Sequence, residues 1–197
     1  MKYNLDTLKK VELRDVWPHE ALDFTKWLSE ESNLAMLSSA VGIELELIET
    51  ESSVGSFNVD IYAQEVGTGR KAIIENQLED TNHDHLGKVI TYAAGKGAEI
   101  VVWVVAHARD EHRQAIEWLN QHTDSSFGFF LVEIELWSIG DSLPAPRFSV
   151  VEQPNEWTKT IKLSEGLSET ERVKLSYWTK YREIAKSTPE FLKVFNP

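Results

Sequence analysis

The sequence predicts an α/β protein: a mixed β-sheet flanked by helices, with a helical extension at the C-terminus. Three observations carry that reading. Ile100-Val-Val-Trp-Val-Val-Ala106 is apolar on both faces, as a central strand covered by helices must be. Residues 57–63 and 71–77 are strand-like runs joined by a short loop, 64–70, whose Gly67 and Gly69 suit a hairpin. Between the second run and the Ile100 strand, Leu86, Val89, Ile90, Ala93 and Ala94 recur at helical spacing, so the connection is expected to be a right-handed crossover into a parallel pair.

From the N-terminus, residues 11–15 read as a short strand or extended arm ended by Val16-Trp17-Pro18. A helix follows, with His19 and Glu20 in its first turn and Leu22, Phe24, Trp27 and Leu28 as apolar positions. Ser32-Asn33 marks its break, and a second helix, 34–41, stops at a Gly42 C-cap. Residues 43–49 alternate as a half-buried strand does, and Glu51 closes that strand ahead of a turn at 52–55. After the central strand come a helix over 110–122, with Ala115, Ile116 and Leu119 inward, a long strand over 128–139 and an edge strand over 147–152. Past Trp157 the composition shifts. Residues 168–187 read as one amphipathic helix with a Ser168–Glu171 capping box and a Val173, Tyr177, Tyr181 and Ile184 stripe. The chain thus divides into a domain over 1–157 and a helical extension over 158–197. Its apolar stripe is expected to pack back on the core or to receive a partner chain or a second copy.

The chemistry concentrates on the hairpin. Strand alternation sets Asn58, Asp60 and Tyr62 against Phe57, Val59, Ile61 and Ala63, and sets Ile73, Glu75 and Gln77 against Ala72, Ile74 and Asn76. With apolar residues on both its faces, the second strand is covered on both sides. Glu75 is then a partly buried acid that needs a partner, a proton or a metal. Pairing of the strands brings Asp60 and Glu75 onto one face. Two oxygen ligands completed by carbonyls and waters suit Mg²⁺ or Mn²⁺ better than zinc. On the following helix His85, Lys88 and Tyr92 are spaced three and four apart and share a flank.

An acid on one strand, a short hairpin, then Glu-x-Gln and a helix resembles the PD-(D/E)XK nuclease superfamily, the restriction-endonuclease-like fold. Val54-Gly-Ser-Phe-Asn-Val-Asp60-Ile, Ile74-Glu-Asn-Gln-Leu, His83-Asp-His-Leu-Gly and Thr91-Tyr-Ala-Ala-Gly look like a bacterial and archaeal family of uncharacterised nuclease-like proteins, over roughly residues 11–157. The resemblance implies a nuclease-like hydrolase acting on nucleic acid, DNA first, in defence or DNA processing. Asp60 and Glu75 would hold Mg²⁺ or Mn²⁺ with the Asn76 carbonyl as a further ligand. Gln77 would position the attacking water, and His85, Lys88 and Tyr92 would contact substrate. A supporting acid is expected from the first helix, Glu20 or Glu30, or from Glu51. Lys88-x-x-x-Tyr92 stands where RecB-like members carry Gln-x-x-x-Tyr, so Gln and Lys are exchanged between strand and helix, and Lys88 is expected to supply the charge that Gln77 lacks.

Composition sets the competing readings. There are no cysteines, which excludes disulfides, thiolate metal sites and cysteine nucleophiles. No segment approaches a membrane span, and a cytoplasmic protein is the default. A net charge of −12 excludes a wide electrostatic grip on nucleic acid, so contact must be local, metal-assisted or supplied by another chain. The alternative is a nuclease fold that has lost catalysis and serves as a binding module. Glu133 and Glu135 imitate a glycosidase pair, but spacing of two on a strand is what an outward polar face gives. His83 is expected in the turn before the helix, and His107 and His112 at the surface.

Overall fold

The computed structural model describes residues 5–154 and Tyr177. The chain divides into two compact units, Met1–Pro154 and Asn155–Pro197. Tyr177 is helical and exposed; the remainder of the helix expected over 168–187, with its capping box and apolar stripe, lies outside the described residues.

The first unit holds one seven-stranded mixed sheet: β1 (Leu8–Val11), β2 (Leu45–Val54), β3 (Phe57–Glu65), β4 (Lys71–Asp80), β5 (Ile100–His107), β6 (Gly128–Ile139) and β7 (Ala145–Glu152). Their order is β1-β6-β5-β4-β3-β2, with β7 also paired to β6. Tight turns join β2 to β3 and β3 to β4, so those pairs are antiparallel. β4, β5 and β6 are parallel, because each step is bridged by a helix, α4 (His83–Lys96) and α5 (Asp110–His122). A mixed sheet flanked by helices is what the sequence predicts.

β6 is long enough to take two partners in tandem. Its residues Leu131–Glu133 face both β5 and β7, and Leu136 and Trp137 face both β1 and β7. β1 and β5 therefore lie end to end along one edge of β6, with a break between them.

One face of the sheet packs Ile73, Val101, Trp103, Val105 and Leu131 against Val89, Tyr92 and Ala93 of α4 and Ile116 of α5. The other carries Asn76, which bonds to α2 (Thr25–Ser29). β5 is buried from Ile100 to Val105, as its two-sided apolar pattern requires.

Four local expectations change. The N-terminal strand is β1, Leu8–Val11, and residues 13–16, read as extended, form the short helix α1 (Leu13–Val16). The helical stretch after Pro18 opens with a π-helical turn, Glu20–Phe24, before α2. The residue this inserts shifts the apolar phase, so Phe24, Thr25 and Leu28 are buried while Leu22 stands 60% exposed. The break falls at the extended Glu30, not at Ser32-Asn33, and α3 (Glu31–Val41) starts there. Asn33 clasps the junction from inside α3, donating to the Trp27 carbonyl at 2.7 Å and to Glu30 Oε2 at 3.1 Å. Gly42 does cap α3, in the left-handed region at φ 69°. Finally, the β2–β3 turn is Gly55-Ser56, with Val54 paired to Phe57, which leaves Glu51 inside β2 rather than at its end.

Candidate active site

The β3–β4 ladder runs from Gln64↔Lys71 to Ile61↔Ile74 and then stops. At the next position the strands part, and the Asn76 N–H, without a ladder carbonyl, donates to Asp60 Oδ2 at 2.7 Å. The aspartate side chain thereby fills a backbone acceptor's place. That bond fixes Asp60 across from Glu75, which is 2% exposed. Burial raises both carboxyls. Asp60 is pushed up to about 7, with the Glu20 and Glu51 charges adding to burial, and Glu75 to about 8, with Asp60 as its main repulsive neighbour.

α4 brings the only cation onto this pair among the described ion pairs. Lys88 Nζ lies 3.5 Å from Glu75 Oε1 and 3.4 Å from His85 Nε2. The α4 N-cap, Asn82, accepts the His85 N–H at 2.9 Å and lies 3.1 Å from His85 Nδ1. A neutral His85 with its proton on Nδ1 satisfies both contacts, donating to Asn82 and accepting from Lys88; burial and the neighbouring Lys88 charge lower its pKa, which favours that form. Tyr92 shares the expected flank of α4 but lies deeper than His85 and Lys88. It is 3% exposed and packs into the core, whereas Ile90, expected inside, is 43% exposed. Burial and then the Glu75 and Asp60 charges raise the Tyr92 phenol, so it stays a protonated neighbour of the acids.

Of the supporting acids, Glu20 reaches the site. From the π-helical turn its Oε2 accepts the Leu78 N–H at 2.6 Å and lies 3.9 Å from Arg14. Burial raises its pKa. Glu30 is turned to Asn33 at the head of α3. Glu51 is exposed, with φ 52°, and its charge is among those that raise Asp60.

Gln77 keeps one end of its amide, Oε1, for the water-orienting role expected of it. It is 1% exposed, and its Nε2 donates to the Asp80 carbonyl at 2.7 Å, where the β4–β5 register shifts. The Asn76 side chain donates to Thr25 Oγ1 at 2.9 Å on the opposite face, which leaves only its carbonyl for the ligand role expected of it.

Two buried acceptors on the Asp60 side of β4 have no hydrogen-bond partner: Glu75 Oε2 and Gln77 Oε1. Unmet acceptors beside two desolvated carboxylates fit a hydrated, oxygen-seeking divalent cation. Among the described residues no three of His, Asp and Glu are grouped to hold a metal by themselves. The protein would therefore supply two carboxylates, and water, a carbonyl or a phosphate the rest.

The remaining candidates have structural partners. Glu133 accepts the Ala108 N–H at 2.8 Å and pairs with His107 at 3.2 Å. Glu135 pairs with Lys10 at 3.0 Å and accepts from Trp137 Nε1. Neither is left as a free acid or nucleophile. His83 opens α4 rather than lying in the turn, and its Nδ1 is 2.8 Å from Nε2 of His112. His112, expected at the surface, is 2% exposed beneath α4 and against Trp103. Sequence reasoning missed Thr25 and Arg14. Thr25 carried no signal, because its partner Asn76 belongs to a distant strand; Arg14 was hidden by reading its short helix as extended.

No protein-family model and no curated protein matches the sequence. Two solved structures are similar. One is the structure of an EndoMS–dsDNA2 complex, at 13% identity and a TM-score of 0.35, over 46% of this chain and 40% of that one. The other is the crystal structure of a repair endonuclease from Pyrococcus abyssi, at 17% identity and a TM-score of 0.34, over 46% and 42%. This chain thus spans less than half the length of either, and neither likeness assigns a role to a residue.

Proposed function

We propose that this protein is a metal-dependent phosphodiesterase of nucleic acid, with Asp60 and Glu75 as the cation-holding pair. The observation that supports it is the parting of β3 and β4, which sets a half-buried Asp60 against a buried Glu75 with one oxygen of Glu75 unpartnered and a single ammonium, Lys88, beside them. The oxygen donor set favours Mg²⁺ or Mn²⁺. Bound there, such a cation would offset phosphate charge and lower the pKa of a water.

The chain's own residues do the rest. The Asn76 N–H holds Asp60 in one orientation. Lys88, steadied by neutral His85, is placed to meet an anionic phosphate oxygen; because it also lies on Glu75, its charge stands in for the lysine absent at Gln77. Tyr92 remains protonated and closes the inner wall. Glu20 holds the start of the helical face to β4 and adds a third negative charge nearby. DNA is the first substrate to try, and a partner or second copy docking through the C-terminal region remains part of the proposal.

One observation favours the inactive binding module instead: the Nε2 of Gln77 is already committed to the Asp80 carbonyl, so Gln77 has no donor to offer a phosphate. Cleavage of end-labelled DNA and RNA oligonucleotides with Mn²⁺ separates the readings. We expect cleavage by the parent chain and none by Asp60→Asn or Glu75→Gln. Binding of oligonucleotide without metal-dependent cleavage, equal in parent and variants, would establish the module.

A further inference from the structure

The break between β1 and β5 along β6 leaves a cavity of about 150 Å³, walled by Val11, Leu13, Leu78, Ala106 and Ile134 with Lys10, Glu12 and Arg14 also lining it. It adjoins the candidate active site through one residue. Glu20 Oε2, which accepts the Leu78 N–H, is 3.9 Å from Arg14 Nη2, so the cavity and the carboxylate cluster share Glu20 as a partition.

Size and lining limit what fits. A cavity of roughly 150 Å³ with aliphatic walls and a charged mouth is large enough for one six-membered ring. The ring enters between aliphatic walls, and its tether meets Lys10 and Arg14. Both cations are held in partly exposed ion pairs, Lys10 to Glu135 and Arg14 to Glu79 and Glu20, of the kind that contribute little and exchange readily for an incoming anion, while Arg14 Nη1 stays on the Pro18 carbonyl. In a chain of net charge −12, two cations against one lining acid, Glu12, beside aliphatic walls favour a flat ring carrying a phosphate. We propose that this cavity is a base pocket for a pyrimidine nucleotide of the bound strand, with Arg14 on its phosphate. The proposal rests on the phosphodiesterase reading for its biological sense, but the pocket itself needs neither the carboxylates nor a metal.

The test is calorimetric binding of thymidine and cytidine 5′-monophosphates, adenosine 5′-monophosphate and the base-free deoxyribose 5-phosphate to the full chain without divalent cation. Two variants fill the slot from opposite walls, Leu13→Trp and Ala106→Leu, with unfolding midpoints used to verify folding. The parent chain is expected to bind the pyrimidine nucleotides about tenfold or more tighter than the base-free phosphate and the purine. Either folded filled variant removes that margin, and Arg14→Ala weakens all four ligands. Asp60→Asn with Glu75→Gln leaves pyrimidine binding unchanged. Equal affinity for pyrimidine and base-free phosphate, or a folded filled variant that keeps the margin, overturns the pocket. A preserved margin in a chain that never cleaves overturns the phosphodiesterase reading alone.

Discussion

An aspartate that accepts a main-chain N–H cannot be shortened to alanine without orphaning a buried donor, at a cost of about 1–3 kcal/mol. Asp60→Asn, which keeps an acceptor, is therefore the cleaner substitution. Lys88 is 42% exposed along its side chain and can be removed with little effect on folding. We expect Lys88→Ala to lower single-turnover cleavage about 100-fold while the unfolding midpoint stays within a degree or so. An unchanged rate at saturating substrate removes Lys88 from the mechanism. The raised carboxyls set a second expectation. Both native pKa values lie above the unfolded ones of about 4. The native state therefore retains protons that the unfolded chain has lost, and metal-free stability falls as pH rises from about 4 to about 8, then levels. Urea midpoints across that range should show this decline in the parent chain and a flatter profile in Asp60→Asn with Glu75→Gln. Asp60 and Glu75 were legible in the sequence, because strand alternation and one hairpin are enough to pair them. The tie of Gln77 to Asp80 was not, since it depends on a register shift between β4 and β5 that no local pattern announces.

At the scale of elements, α4 carries most of the site and its phase decides which residues belong there. The sequence reading put Ile90 and Ala94 on the buried side and Tyr92 on the flank; packing in one cluster with Trp103 and Ile73 buries Tyr92 instead, and Ile90 is exposed. β5, β6 and α5 were read almost to the residue, because their apolar patterns are long and have a single solution. The stretch from Leu13 to Ser29 was not, because a π-helical turn changes the spacing on which such readings depend. Gly95 shows how closely α4 meets the β2 edge: a Cβ there would lie 2.4 Å from Val54 Cγ1. Alanine in an exposed helix position ordinarily stabilises by up to about 1 kcal/mol. Here Gly95→Ala should instead destabilise by about 1–2 kcal/mol in urea unfolding, and Val54→Ala in the same chain should recover most of it. Without that recovery, the contact is not what requires glycine.

The whole molecule is acidic, and the cations near the site, Lys88, Arg14 and Lys10, could neutralise about three phosphates. Log affinity for a single-stranded oligonucleotide should then fall with log salt at a slope near −2, read by fluorescence anisotropy. A slope near −6 would place the binding surface elsewhere. β6 also sets an order of assembly. Lys10 meets Glu135 across 125 residues of sequence, and β1, which precedes the other strands of the sheet, has no edge to join until residues 136–139 exist. The N-terminal segment must wait while the hairpin, α4 and β5 are made. The slot beside Glu20 is thus closed by the strand made earliest in this sheet, and β6, made after β2 to β5, supplies the edge that holds it there.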